Sequence, residues 1–322
     1  MTTGTRPRAA ALLGCVAALA AAAPADAAFP GRNGALVFTS TKAGSHDIYA
    51  LTRGARAPRM IVGGPLRQQQ PAVSPDGRTV AYKTVTADPR DEETWLAPFD
   101  GRGPARALTD TPGDLRFSTQ PGWTADGERL LVRSNRGGPY DVWSIRAGDG
   151  GDPIRLTADD ANDLYPVSSP DGRRIAFRSD RAGDPDIWIM DADGSNARNL
   201  TAGSGLWESA PSWSPDGRRI AFERASLPGN PDADPAVEAS DEIWTMDARG
   251  GREQRLTTNT TKDEGPAWSP DGRLIAFTSE RADPKGDIWV MRRDGRAQRS
   301  AYASPGVEES PEWQTLPRRR GR

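Results

Sequence analysis

Cysteine, histidine and lysine are nearly absent from this chain, which has one cysteine, one histidine and four lysines in 322 residues. The scarcity of histidine and cysteine excludes zinc or copper sites built from several such ligands. His46 would have to serve any Ser-His-Asp site, and no G-x-S-x-G segment is present to supply the serine. The formal net charge of −2 excludes a general nucleic-acid surface. Carboxylates remain as the one route to catalysis or metal binding.

Residues 1–27 predict a secretory signal sequence. Arg6 and Arg8 precede an apolar run over residues 9–23, and Ala25-Asp26-Ala27 fits a small-residue cleavage site. The run is too short and too rich in alanine for a membrane anchor. We therefore expect cleavage before Ala28 and a periplasmic or extracellular protein with no transmembrane segment in its mature chain.

The segment Leu12-Leu13-Gly14-Cys15 leaves an alternative open, because it resembles a bacterial lipoprotein box that would anchor the chain through Cys15. Few apolar residues precede this cysteine and the apolar run continues after it, which favours release of the protein instead. A chain cleaved after Ala27 contains no cysteine, so its stability cannot depend on disulfides.

A repeated unit dominates the rest of the sequence. The segment from Pro211 to Phe222 reads PSWSPDGRRIAF, and close copies begin at Pro71, Pro121, Pro166 and Pro266. A repeat of about 40–50 residues with four short strand-like runs is the signature of propeller blades. Pro-Asp-Gly between two apolar runs predicts a turn, and runs of four to six β-branched or aromatic residues predict strands.

The two ends of the repeat region complete one another. Residues 31–40 match the unit from its first turn onward, and Pro311-Glu312-Trp313 near the C-terminus supplies only a first strand. We therefore predict an all-β, six-bladed β-propeller over residues 28–316 with four antiparallel strands per blade. The C-terminal strand would join the N-terminal blade and close the ring. Residues 317–322 form a basic tail that we expect to be disordered.

Nine of the ten tryptophans occupy two positions of the repeat, in first strands and in third strands. Tryptophan that recurs in every blade predicts packing between blades and not a ligand platform. Trp207 is the exception, because it lies outside both positions.

The consensus P-x-W-S-P-D-G-R-x-I-A-F-x-S…D-I-W-x-M-D resembles the TolB-type β-propeller repeat across about residues 31–314. The same repeat occurs in periplasmic scaffolds and in the regulatory propellers of serine peptidases, so the resemblance implies the fold and leaves the function open. The first blade follows the leader directly and the sequence ends after the last strand. The resemblance therefore implies a stand-alone, monomeric propeller without an N-terminal α/β domain or a C-terminal peptidase domain.

Acidic residues precede the first strand in four consecutive units, where propeller topology predicts the mouth of the central channel. The acidic residues three positions before the proline are Asp163, Glu208, Asp263 and Glu308. Two units carry a second acidic residue two positions before the proline, Glu264 and Glu309. These residues predict a negative crescent. In the alternative, Lys42, Arg136, Arg181 and Arg281 in the neighbouring loops neutralise them blade by blade.

Two lengthened loops, over residues 86–92 and 225–241, are expected on the same face as the crescent. The second contains Asp232, Asp234, Glu238 and Asp241 without a basic residue, and Trp207 precedes Glu208 nearby. The pattern predicts a site for a cationic protein, a peptide, a cell-envelope component or a Ca²⁺ ion. The acidic loop could equally be a solvated, disordered segment.

Two functions follow from these observations. The first is a non-catalytic binding scaffold that uses Asp163, Trp207, Glu208, Asp263, Glu264, Glu308 and Glu309 and needs no cofactor. The alternative is a calcium-dependent hydrolase or lactonase, in which channel carboxylates would hold the metal. The five complete first strands carry no carboxylate after their proline, which favours the scaffold.

Overall fold

The computed structural model describes residues 30–85, 92–109, 119–225 and 241–317. The predicted signal sequence, most of the two lengthened loops and residues 318–322 lie outside these ranges. Every regular element in the described part is a β-strand, and no helix there is long and apolar enough to cross a membrane.

The strands form six separate four-stranded sheets, and each sheet is one blade of a propeller. Blade I consists of β1 (Arg32–Ser40), β2 (Asp47–Leu51), β3 (Arg59–Val62) and the last strand of the chain, β24 (Glu308–Leu316). Blade II consists of β4 (Arg67–Val73), β5 (Thr79–Val85), β6 (Glu92–Pro98) and β7 (Arg106–Ala107). Blade III consists of β8 (Thr119–Trp123), β9 (Arg129–Ser134), β10 (Asp141–Arg146) and β11 (Ile154–Arg155).

The remaining three blades follow in chain order. Blade IV consists of β12 (Asp163–Ser168), β13 (Arg174–Ser179), β14 (Asp186–Asp191) and β15 (Arg198–Asn199). Blade V consists of β16 (Trp207–Trp213), β17 (Arg219–Ala225), β18 (Asp241–Asp247) and β19 (Gln254–Arg255). Blade VI consists of β20 (Asp263–Trp268), β21 (Leu274–Ser279), β22 (Asp287–Arg292) and β23 (Arg299–Tyr302).

The ring closes as the sequence predicts. β24 pairs antiparallel with β1 from Arg32↔Leu316 to Ser40↔Glu308, so the two ends of the chain share blade I. The first strand of each blade, which is β24 in blade I, contacts the first strands of both neighbouring blades. These six innermost strands therefore surround the central channel, as in other propellers.

The turn after the innermost strand in blades II, IV, V and VI follows the local chemistry of Ser-Pro-Asp-Gly. In blade II, the Ser74 hydroxyl donates to Asp76 Oδ1 at 2.6 Å, and the amide of Arg78 donates to the same oxygen at 3.0 Å. Gly77 takes a φ of 72°, which a side chain rarely adopts. The same contacts recur at the equivalent serines in blades IV, V and VI.

The hydrophobic core lies between neighbouring blades. One cluster joins Ile187 and Leu200 of blade IV to Trp213, Phe222 and Met246 of blade V. The indole N–H of Trp213 crosses the same seam and donates to the Val167 carbonyl at 3.3 Å. Trp123 and Trp313 make the equivalent bonds across their own seams. The prediction of inter-blade packing is confirmed for these tryptophans.

A one-residue bulge interrupts every innermost strand just before its proline. In blade IV, Leu164 pairs with Arg178, but the next pair is Val167 with Ala176, and Tyr165 between them has a φ of 53°. The left-handed residues at this position have φ values from 47° to 60° and are Gln70, Gln120, Tyr165, Ala210, Gly265 and Ser310. The extra residue reverses the alternation of side chains along the strand.

Candidate functional site

The four carboxylates predicted three positions before the proline are buried inside the blades. Asp163, Glu208, Asp263 and Glu308 each have 0% exposure. They lie within β12, β16, β20 and β24 and not in the loops that precede them. As placed, they cannot form the open negative crescent that we expected.

The bulge explains this burial. Side chains alternate between the two faces of a strand, so a residue three positions before the proline would face away from it. The extra left-handed residue, such as Tyr165, shifts the phase by one. Asp163 then lies on the same, buried face as Pro166 and Ser168, and Leu164 takes the side that faces the channel.

Arginines neutralise three of these buried carboxylates, as the alternative interpretation predicted for Arg181 and Arg281. Arg224 was not predicted and fills the same role in blade V. The ion pairs are Arg181–Asp163 at 2.8 Å, Arg281–Asp263 at 2.5 Å and Arg224–Glu208 at 2.6 Å. Removal of one partner from such a pair leaves an uncompensated buried charge, which strongly destabilises a protein.

Blade I departs from this arrangement. Glu308 Oε1 accepts hydrogen bonds from the hydroxyls of Ser40 at 2.9 Å and Ser304 at 2.5 Å. Lys42, the predicted cationic partner, instead donates to the Pro58 carbonyl at 3.3 Å. Its amine also lies 4.3 Å from the centre of the Tyr49 ring.

One cross-strand pair lies at the channel-mouth end of the first two strands in each blade, and each pair includes one charged residue. The channel-mouth face is defined here as the face where the innermost strands begin and the second and third strands are connected. The pairs, from blade II to blade VI and then blade I, are Gln69–Lys83, Thr119–Arg133, Leu164–Arg178, Ser209–Glu223, Glu264–Thr278 and Glu309–Thr39. Three consecutive blades therefore contribute a cation, and the next three contribute a carboxylate.

The basic half of the mouth, formed by Lys83, Arg133 and Arg178, is only partly neutralised. Glu92 forms ion pairs with both Lys83 and Arg133. Burial would raise the pKa of the Glu92 carboxyl, but these two cations outweigh burial and lower the pKa. Among the described residues, the side chain of Arg178 has neither a hydrogen bond nor an ion pair. Its charge acts on the Tyr165 hydroxyl, whose pKa is raised by burial and by Glu223.

The acidic half, formed by Glu223, Glu264 and Glu309, is crowded with like charges between blades V and VI. Glu223 Oε2 accepts a hydrogen bond from the Gly265 amide at 2.9 Å, and burial and Glu264 raise the pKa of its carboxyl. Burial and a hydrogen bond to Glu264 raise the pKa of Asp241 to about 7. Lys262 is the cation nearby, with its amine 3.5 Å from Glu264.

Blade I adds two carboxylates to this half. Glu309 accepts a hydrogen bond from the Gln69 amide of blade II at 2.9 Å. Glu312 lies one position after the proline of β24, where the other blades carry small or aliphatic residues. It keeps some contact with solvent, but the surrounding protein raises the pKa of its carboxyl to about 7.

Trp207 is the first residue of β16 and has 46% exposure. The other large apolar side chains exposed in the described ranges, Met60 and Ile154, lie on the outermost strands β3 and β11. Trp207 is paired with Ala225, which is paired with Asp241. The aromatic ring is therefore placed on the channel-mouth face of blade V. The acidic residues Asp232, Asp234 and Glu238 lie outside the described residues.

No arrangement for metal or triad chemistry is present in the part of the chain that the structure describes. Within those ranges, no three side chains from His, Cys, Asp and Glu lie together in a way that could hold a metal ion. His46 is half-buried, and its Nε2 atom lies 3.3 Å from an Arg67 nitrogen. Burial and Arg67 lower the pKa of the imidazole, and no serine hydroxyl bonds to it among the described residues.

The sequence analysis named Glu264, Glu309 and Trp207, which the structure places at the channel-mouth face, but it named neither Glu223 nor the three cations of the basic half. The missed residues occupy the x position of the repeated A-F-x-S segment, which reads Thr39, Lys83, Arg133, Arg178, Glu223 and Thr278 in the six units. An alignment of the units at this position would have shown the change of sign. Glu312 was visible too, as the one carboxylate that follows a first-strand proline.

The ring of six four-stranded blades defines a six-bladed β-propeller, and comparison with known proteins gives the family. The model of the TolB beta propeller domain matches residues 106–316. The chain belongs to the TolB β-propeller family. The match begins within blade II, and the structure shows that blade I, formed by both ends of the chain, has the same strand order.

The chain is similar to proteins of different kinds. The chain is 37% identical over 68 residues to the Tol-Pal system protein TolB 1 of Novosphingobium aromaticivorans, which covers 21% of this chain and 15% of that protein. It is 30% identical over 71 residues to an uncharacterized peptidase of Bacillus subtilis, covering 22% and 11%. The crystal structure of TolB from Acinetobacter baumannii superposes with a TM-score of 0.72 and 21% identity, over 87% of this chain and 66% of that one. The chain therefore spans only a small part of the two sequence relatives.

Proposed function

We propose that this protein is an exported, non-catalytic scaffold that binds a protein or peptide on the channel-mouth face. The observation that carries the proposal is the charged ring at the mouth, with three consecutive cations followed by three consecutive carboxylates. Glu92 neutralises part of the basic half, and the remaining segregation of charge between the two halves creates a field that steers and orients a partner.

Trp207 supports the same face as the binding surface. Exposed tryptophan is the residue type most often found at the energetic centre of protein interfaces. Its position on an innermost strand distinguishes it from Met60 and Ile154 on the outer rim. Membership of the TolB propeller family, which includes a component of the Tol-Pal system, agrees with a partner in the cell envelope.

The test is chemical cross-linking of purified protein to the envelope fraction, followed by identification of the captured protein. Trp207→Ala should reduce capture about thirtyfold or more, since burying a tryptophan at an interface contributes about 2 kcal/mol or more. Ile154→Ala is the matched control, because Ile154 is equally exposed at 45% but lies on β11. Equal capture by wild type and both variants would contradict the proposal.

Export is the second part of the proposal. The leader over residues 1–27 supports release of a chain that begins at Ala28 into the periplasm or the medium. Intact-mass measurement of the exported protein tests this directly. A lipid-modified Cys15 at the N-terminus would replace release by anchoring and leave the binding face unaffected.

The hydrolase alternative depends on a metal held by channel carboxylates. Binding of Ca²⁺ is testable by thermal melts with and without millimolar Ca²⁺, in wild type and in Glu264→Gln. The described residues offer this alternative no cluster of three acidic or histidine ligands, so no specific observation favours it.

A further inference from the structure

The charges around the mouth are arranged as a dipole across the channel. Lys83, Arg133 and Arg178 occupy blades II to IV, and the described channel-facing pairs of these blades contain no carboxylate. Glu223, Glu264 and Glu309 occupy blades V, VI and I, and the pairs of these blades contain no cation. A ligand of one charge only would be attracted by one half and repelled by the other.

The left-handed residues just before the prolines of the innermost strands also differ between the two halves. Blades II to IV place Gln70, Gln120 and Tyr165 there, while blades V, VI and I place Ala210, Gly265 and Ser310. The residues at this position are thus large in the three blades of the basic half and small in the three blades of the acidic half.

The Arg178 guanidinium and the Tyr165 hydroxyl lie at the boundary of the two halves, beside Glu223. Lys83 and Arg133 are already bonded to Glu92. The Arg178 guanidinium and the Tyr165 hydroxyl form no hydrogen bond with any described side chain, yet both are placed beside Glu223. A guanidinium and a phenol hydroxyl are donors suited to a carboxylate.

The acidic half lacks a matching supply of cations. Burial and mutual repulsion raise the pKa of Glu223 and of Asp241, and Lys262 is 45% exposed at the rim. A basic group entering between Glu223 and Glu264 would relieve this repulsion, because an opposite charge within a few ångströms favours the ionised carboxylate.

We propose that the mouth binds a peptide segment that carries both signs of charge, with its acidic side chain on Arg178 and Tyr165 and its basic side chain on Glu223 and Glu264. This inference rests on the proposed function, because it names the chemistry of the partner at the same face. The segregated ring sets the orientation of the segment, since a reversed peptide would place like charges together in both halves.

The test uses blocked peptides, acetylated and amidated at the ends, with one Lys and one Glu separated by one to three glycines. Control peptides replace Lys by Gln, or Glu by Gln. Calorimetry with wild-type protein should show that at least one mixed peptide binds about tenfold more tightly than either control, the effect of one charge-assisted contact. The channel variants are Arg178→Met and Glu264→Gln. The matched controls on the opposite face of the same blades are Arg173→Met and Asp294→Asn, both at exposed positions.

A double-mutant cycle, which combines one protein variant with one peptide substitution, tests whether the two groups contact each other. With Arg178→Met, replacing Glu by Gln in the peptide should not weaken binding further. With Glu264→Gln, replacing Lys by Gln in the peptide should likewise not weaken binding further. The Arg178 side chain forms no hydrogen bond or ion pair with the described residues, although its charge favours the ionised form of Glu223, so Arg178→Met should fold with only a small change in melting temperature. If the losses of binding free energy from the protein variant and from the peptide substitution simply add in both cycles, the proposal is wrong.

Two outcomes separate this inference from the proposed function. If the purely basic peptide binds as tightly as the mixed ones, and binding falls in Glu264→Gln but not in Arg178→Met, the mouth is a cation site, and the two-charge inference is wrong while the scaffold stands. If no peptide binds at millimolar concentration and Trp207→Ala captures envelope protein as wild type does, both fail.

Discussion

Glu308 Oε1 accepts a hydrogen bond from the Ser40 hydroxyl at 2.9 Å, across 268 residues of sequence. The two residues are directly opposite each other at the ends of β24 and β1, at the channel-mouth end of blade I. The bond therefore belongs to the seam that turns an open row of blades into a ring. A ring leaves no long strand edge free to pair with another molecule.

Removal of residues 310–322 should prevent this closure. The truncated chain would lose nearly all of β24, including Trp313 with its indole bond to the Ala267 carbonyl of blade VI. We expect an aggregated or protease-sensitive product in size-exclusion chromatography and limited proteolysis. Removal of residues 318–322 is the control and should be silent, because every strand pair of blade I remains. A 310–322 deletion that melts as late and as cooperatively as wild type would exclude closure through β24.

Arg281→Met should destabilise the protein by about 3–5 kcal/mol, because it leaves the carboxylate of Asp263 buried without a counter-charge. The guanidinium is bonded to Asp263 at 2.5 Å and lies 4.6 Å from the Trp289 ring centre. Urea unfolding measures the loss, and Arg173→Met at an exposed turn should stay within about 0.5 kcal/mol. The double variant Arg281→Met with Asp263→Leu should recover part of the stability. A double variant no more stable than the single one would show that charge is not the cause.

Glu312→Gln should change how stability depends on pH. The pKa of Glu312 is raised from 4.5 to about 7 in the folded protein. A carboxyl whose pKa is raised in the folded protein destabilises the fold when it is ionised. The contribution of Glu312 to the free energy of unfolding therefore falls as the pH rises from about 4.5 to about 7, and it stays constant above pH 7. Each pKa unit corresponds to about 1.4 kcal/mol. Above pH 7, Glu312→Gln should therefore raise the free energy of unfolding by at most roughly 3 kcal/mol, and solvent in the channel reduces this gain.

Thermal melts between pH 4 and pH 8 measure this difference. Wild type and Glu312→Gln should melt together at pH 4 and separate progressively up to about pH 7, with the variant higher. Glu128→Gln, at an exposed position of blade III, should follow wild type throughout. Parallel pH profiles for wild type and Glu312→Gln would contradict the raised pKa.

Gly122→Ala should weaken the seam between blades III and IV. A Cβ atom at Gly122 would lie 2.5 Å from the Pro166 carbonyl oxygen on the neighbouring innermost strand, and backbone cannot move aside as a flexible side chain can. Overpacking of this kind costs about 1–3 kcal/mol. Gly148→Ala in the same blade meets no atom within 4 Å and is the control. Chemical denaturation of the two variants decides the point, and equal midpoints would show that the blades can separate without cost.

Local chemistry made the fold predictable. Pro-Asp-Gly turns set the hairpins, as the bond from Ser74 to Asp76 and the positive φ of Gly77 show. The spacing of the repeat gave six blades, and the incomplete units at the two ends of the repeat gave the closure through β24. Each of these features depends on residues close together in sequence or on counting whole units.

Which side chains face the channel was decided by tertiary structure. The bulge at Tyr165 and its equivalents changes the phase of each innermost strand, and this buried Asp163, Glu208, Asp263 and Glu308 in place of the residues after them. A left-handed residue before proline has no fixed sequence signal, since Gln, Tyr, Ala, Gly and Ser all occupy the position. The ring of six charges also joins residues from six separate units, so only the closed propeller brings Arg178 of blade IV and Glu264 of blade VI to one opening. The sequence by itself specified the turns, the strands and the number of blades, because those follow from local conformational preference. The arrangement of charges at the channel mouth depends on strand phase and on ring closure, which are properties of the assembled sheet.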